Sequence, residues 1–154
     1  MRGNNQAPDR LYVTSSAKEF IDKLDEVNYF GLKDITRTEL FLFAMSLGVE
    51  HNIKTPLGTQ SKVALILDKY VNNEPKAKAG IYASYLAIVE NASDNLDVIE
   101  DRSSVYKNAE EYANTGFELL EGYFSKSKQE DIAWDLFAEI EERIEYLKNM
   151  EYFD

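Results

Sequence analysis

Cysteine is absent from all 154 residues, which removes disulfide scaffolds, thiolate zinc centres, iron–sulfur clusters and cysteine nucleophiles together. Histidine is nearly absent as well. His51 stands alone, so multi-histidine metal sites are excluded and a histidine-based triad is disfavoured. The longest apolar run, residues 40–45, is far short of the roughly 20 residues that a bilayer span demands. The first ten residues carry no apolar leader segment, and no low-complexity tract or repeat stands out. These absences lead to the expectation of a cytoplasmic protein without membrane contact, folded as a single helical domain over residues 10–154 behind a flexible stretch at 1–9.

Charged residues make up 29% of the chain and hydrophobic ones 44%, a balance that excludes a disordered polyelectrolyte and fits a soluble globular fold. A chain of this length buries roughly 70% of its unfolded surface, enough for a core of its own. The net charge of −11 is unevenly spread: residues 1–80 carry a net +1 and residues 81–154 a net −12. An acidic half repels nucleic acid and anionic membranes, because phosphate affinity comes from lysine and arginine. Any DNA contact therefore has to come from the first half.

Residues 10–14, Arg-Leu-Tyr-Val-Thr, alternate in polarity and read as one short strand, which needs a partner and is expected to find it in a second copy. Ser16 and Glu19 form a capping-box pattern that opens an amphipathic helix over 16–27. The pattern returns at Thr36 and Glu39, ahead of a helix that is apolar almost all round and that Gly48 is expected to end in a left-handed turn. Such a helix belongs at the centre of the fold or in an oligomer interface. Residues 61–71 fit helix and strand equally. Pro75 opens a helix over about 75–90, and a further helix spans about 104–125, with Tyr112, Ala113, Phe117, Leu120 and Phe124 on one side. Ser127 and Glu130 open the last helix. Its inward stripe, Ala133, Leu136, Phe137, Ile140, Ile144 and Leu147, spans about 80° at 100° per residue. Trp134 lies about 115° from the centre of that stripe, either packed under a loop or displayed to a partner. The fold class expected is all-α: a compact bundle of five to six helices with one short N-terminal strand.

Few residues offer chemistry. Asp131, Asp135 and Glu142 share a helical face, but bundle metal sites use inward acids with a Glu-x-x-His partner, so a solvated face is the better reading. The acidic stretch 91–97 has leucine where a calcium loop needs glycine, and Arg102 where that loop needs its last glutamate. Residues 57–62 lack the spacing of a phosphate loop, and no nucleophile elbow occurs. His51 reads as a cap on helix carbonyls. Neither a catalytic residue, a metal nor a cofactor is assigned.

The run TELFLFAMSLGVEHNIKTPL over residues 38–57 resembles the N-terminal signature of the DNA phosphorothioation-associated protein 4 family, also called Dnd system-associated protein 4. Residues 110–120, EEYANTGFELL, are similar to that family's Glu-Tyr-Ala-Asn-Gly-Gly segment, with Thr115 where the family has a glycine. The resemblance implies a cytoplasmic accessory protein of systems that place sulfur in the DNA backbone and restrict unmodified invading DNA, and it brings no catalytic residue or cofactor.

Two functional readings follow. The first is a non-enzymatic interaction protein that docks onto a larger protein of a DNA-modification, restriction or antiviral defence system, itself forming a homodimer through the strand and the apolar helix. The alternative is a ribbon-helix-helix-like dimeric DNA-binding regulator, less favoured because only one of its three groove-facing side chains is basic. In that reading Arg10, Tyr12 and Thr14 enter the major groove and Arg37 opens the helix that holds a phosphate. Arg10, Tyr12, Thr14, Arg37 and Trp134 are the candidate contacts to a partner or to DNA.

Overall fold

The computed structural model describes residues 8–27, 35–59, 61–89 and 101–126, and all but 140, 143 and 147 between 138 and 149. The elements in chain order are β1 (Arg10–Thr14), α1 (Ser15–Val27), α2 (Arg37–His51), β2 (Lys62–Leu67), α3 (Asp68–Asn73), α4 (Pro75–Leu86) and α5 (Arg102–Lys126). The described residues between 138 and 149 are helical again. The chain forms two compact units, Met1–Leu119 and Leu120–Asp154.

Mostly helical character is as expected, but the lone strand is corrected. Residues 62–67 form a second strand, and β1 pairs with it antiparallel within the same chain. Leu11 lies opposite Ile66 and Tyr12 opposite Ala64, which leaves Leu65 as an extra residue and bulges β2 at that point. Two further bonds prolong the pairing: the Ser15 amide donates to the Ser61 carbonyl at 3.0 Å, and the Asp68 amide to the Asp9 carbonyl at 2.8 Å. Leu11, Val13 and Ile66 are buried beneath it. The expected pairing of β1 with a second copy is thus met by β2.

Local signals place the helix starts. Thr36 Oγ1 accepts from the Glu39 amide at 3.1 Å, and Glu39 Oε2 accepts from the Thr36 amide at 2.9 Å, the reciprocal capping box. Pro75 begins α4 as expected. α1, however, starts one residue before Ser16. Its first turn is capped by Thr14, whose hydroxyl accepts from the Ala17 amide at 3.2 Å.

α2 buries Leu40, Phe41, Ala44, Met45 and Gly48, while Phe43 and Val49 are 43% and 41% exposed. The helix thus buries one face in the fold and leaves part of its apolar surface exposed. Gly48 is also corrected, since it lies inside α2. The left-handed stop is Asn52, with φ 53°, and the Asn52 and Ile53 amides close the helix end on the Gly48 carbonyl. Gly48 serves a different purpose. A Cβ built there would stand 2.1 Å from the Tyr112 carbonyl oxygen of α5, and one built at Gly116 would stand 1.7 Å from the Ala44 carbonyl oxygen of α2. The two helix backbones therefore touch twice, one turn apart, and only hydrogen fits at either contact.

In the second unit Ile144 and Tyr146 are 46% and 53% exposed, so the inward placement expected for Ile144 is corrected. Trp134, Asp131, Asp135, the Ser127 to Glu130 capping pattern and the rest of the apolar stripe save Ile144 lie outside the described residues, as do residues 1–7. No helix among the described residues is long and apolar enough to cross a membrane.

The α2–α5 contact predicts its own test. Gly116→Ala should cost about 3 kcal/mol or more in urea denaturation, because the new methyl meets backbone that cannot swing aside. Gly122→Ala on the same helix, where nothing lies within 4 Å, should change stability by less than about 1 kcal/mol, toward greater stability.

Candidate functional site

The α2–α5 crossing fixes the segment that follows α2. Immediately beyond Asn52 the chain runs along α5, where the Thr55 amide donates to the Glu111 carbonyl at 3.1 Å. Asn114 Nδ2 donates to the Thr55 and Pro56 carbonyls at 3.1 and 3.4 Å. Thr115 Oγ1 donates to the Ile53 carbonyl at 2.9 Å and lies 2.9 Å from the Thr55 hydroxyl. Lys54 places its ammonium 5.8 Å from the centre of the Tyr112 ring. A glycine at 115 would leave the Ile53 carbonyl without this donor, so the threonine adds a tether.

Held this way, residues 56–58 form one wall of a cleft of about 410 Å³. Pro8, just before β1, stands with Pro56 and Leu57 as its apolar lining. Lys62 from β2 and Ser103, Lys107, Glu110 and Glu111 from α5 supply polar groups. Gly58, at φ +69°, makes the turn that returns the chain to β2.

The carboxylates of Glu110 and Glu111 differ in circumstance. Glu111 has Lys107 Nζ at 4.0 Å. Glu110 turns toward β1, and its Oε1 accepts from the Tyr12 amide at 3.3 Å, on the edge of β1 away from β2. Neither a second hydrogen bond nor a cation within 4 Å reaches Glu110 among the described residues. Burial raises its pKa from 4.5 to about 7, against the opposing pull of the Tyr12 amide and Lys62.

Beside the cleft a second cluster locks α3 to α5. Asp68 accepts from Arg102 Nη1 at 2.9 Å, from Asn72 Nδ2 at 2.9 Å and from the Tyr106 hydroxyl. Burial, then the Asp68 hydrogen bond, pushes the Tyr106 pKa well above the usual tyrosine range, which keeps it a donor. The Asp101 carboxylate, accepting from the Ser104 hydroxyl and amide at 2.6 and 3.3 Å, is held below its usual pKa by those bonds.

The residues singled out in the sequence do not converge. Arg10 is tied to its neighbour Asp9 through two contacts, at 2.8 and 2.7 Å. Tyr12 contributes its backbone amide to the cleft side of β1. Thr14 is 5% exposed and caps α1, which corrects its expected outward placement. Arg37 opens α2 with its guanidinium 4.0 Å from Asp22. His51 Nδ1 is 2.9 Å from the Leu47 carbonyl, the capping contact expected of it. Groups of three or more His, Asp or Glu able to hold a metal are absent among the described residues. Glu110, Lys62 and Lys107 were missed because no local pattern marks them; only the packing of α5 on β1 separates Glu110 from the other acids of its helix.

The pKa of Glu110 makes a stability prediction with a definite sign. A carboxyl raised in the folded state favours folding while protonated, so its contribution is complete below pH 4.5 and is lost as pH rises through about 7. Glu110→Gln should match the parent near pH 4.5 and exceed it at pH 8 by at most about 3 kcal/mol. Paired urea melts across that range read the difference, and a constant offset at every pH would contradict it.

The two runs quoted for their family resemblance, residues 38–57 and 110–120, are the segments that meet at Gly48 and Gly116. No curated protein and no solved structure matches the chain. Residues 10–153 do match the family described as DNA sulphur modification system-associated protein 4. With the match running through every described element from β1 to the final helical residues, the chain belongs to that family.

Proposed function

We propose that this chain is a non-enzymatic, cytoplasmic accessory protein that docks onto a larger protein of a DNA sulphur modification system, in a restriction or antiviral setting. The observation that carries the reading is where the family-like residues are used. Gly48, Asn114 and Gly116 are buried in the α2–α5 contact and its tether, so they build a scaffold. What the scaffold offers outward is a cleft, the exposed apolar residues Phe43, Val49 and Ile53, and a strongly acidic chain. Net charge of −11 suits long-range steering of a basic protein partner. Membership of a family associated with such systems supplies the setting.

The ribbon-helix-helix alternative draws less support. It requires β1 to lie beside a second β1 with Thr14 directed into a groove, whereas β1 lies between β2 and Glu110 and Thr14 is buried.

Affinity purification of the tagged protein from its native host should recover a modification or restriction component. Recovery of none counts against docking. Fluorescence anisotropy with duplex DNA at about 50 mM salt should show no saturable binding; a complex that weakens steeply with added salt would favour the DNA reading.

A further inference from the structure

We infer that the cleft beside α5 receives a lysine or arginine side chain presented by an extended segment of the protein partner, an inference that rests on the docking reading above. A volume of about 410 Å³ lies in the range of pockets that enclose a small ligand or a side chain with its flanking backbone. Pro8, Pro56 and Leu57 give the cleft an apolar lining, against which the aliphatic stem of a long cationic side chain packs well. Glu110 supplies the acceptor. Its Oε1 is tethered by the Tyr12 amide, which fixes the carboxylate, and its Oε2 has no partner among the described residues. Glu111 already has Lys107 at 4.0 Å; Glu110 is influenced by Lys62 but has no cation within 4 Å among the described residues.

An anionic ligand fits less well. It would bring negative charge beside a carboxylate already short of solvation, and the two lysines lining the cleft are exposed to solvent, where they keep their own hydration. They suit the backbone carbonyls or acidic neighbours of an incoming cationic residue. A divalent metal has too few donors here. The acidity of the whole chain favours approach of a basic segment.

Ionisation of Glu110 is then coupled to binding. The titratable and charged groups around it are Lys62 of β2, Glu111, Lys107 and Tyr106 of α5, and Tyr12 of β1. With its carboxyl titrating at about 7, the ionised fraction rises about tenfold between pH 6 and pH 8, and affinity for a cation should rise with it.

The test is a ¹⁵N–¹H NMR titration of the full chain with N-acetyl-arginine amide, using the corresponding glutamate and norleucine amides as controls. Expected are saturable shifts at the amides of Tyr12, Gly58 and Lys107 with the arginine probe, about tenfold tighter at pH 8 than at pH 6. Glu110→Gln, which keeps an acceptor for the Tyr12 amide, should lose at least about tenfold in affinity at pH 8, and Lys76→Gln, exposed on α4 and outside the cleft lining, should not. Absence of saturable shifts, equal binding by Glu110→Gln, or stronger binding of the glutamate probe overturns the inference. Affinity purification separates it from the docking reading. If the Glu110→Gln bait recovers the same partners as the parent, the cleft is not the docking site although docking stands. If the parent recovers none, docking fails, while saturable arginine binding still supports the cationic preference.

Discussion

The rest of the structure depends on the approach of α2 to α5 at Gly48 and Gly116. A methyl at either position would overlap the facing carbonyl, so the two helices sit at a separation that only paired glycines permit. That separation brings the start of the following segment within reach of Glu111, Asn114 and Thr115, whose hydrogen bonds lay residues 53–56 along α5. Pro56 and Leu57 thereby become a cleft wall, and Gly58 returns the chain to β2. β2 in turn holds β1, and β1 presents the Tyr12 amide to Glu110. Widening the helix contact would therefore disturb the cleft from several directions together.

The sheet carries its own protection against unwanted pairing. One edge of β1 is met by β2 and the other by the Glu110 carboxylate. β2 is apolar and six residues long, the kind of strand whose open edge invites another chain. The extra residue at Leu65 breaks its regular register, and Lys62 puts a charge at its start. Bulges and edge lysines are devices that soluble proteins use against edge-to-edge association. A two-stranded sheet is marginal alone; here it is stabilised by the buried Leu11, Val13 and Ile66 beneath it.

Features with local causes were legible in the sequence. The Thr36–Glu39 capping box, Pro75 at a helix start, the buried Tyr112, Ala113, Phe117 and Leu120 of α5 and the capping contact of His51 each depend on residues within one or two turns. Gly48 was not legible, because a glycine after an apolar run serves as readily for a left-handed stop as for a close helix contact, and the choice lies with α5, more than sixty residues away. Residues 62–67 gave no period to read, and only the pairing with β1 makes them a strand. Thr14 was read as a strand residue facing out, yet the chain turns directly into α1 and converts it to a cap. Glu110 is hardest of all. It is one of several acids in α5, and what sets it apart is burial together with a contact to a strand far away in the sequence.

The contact between Tyr12 and Glu110 joins residues 98 apart in the chain, and this separation governs when the cleft comes into being. Loop-closure entropy opposes so distant a contact, and it can form only once α5 has been made. During synthesis β1 emerges first and waits for β2, and both wait for α5. A truncated or half-made chain would therefore present the strand without the carboxylate and the loop without its tether. Binding through the cleft would be confined to chains whose first unit is fully assembled, so that a partner reading this surface would also be reading completion of the fold.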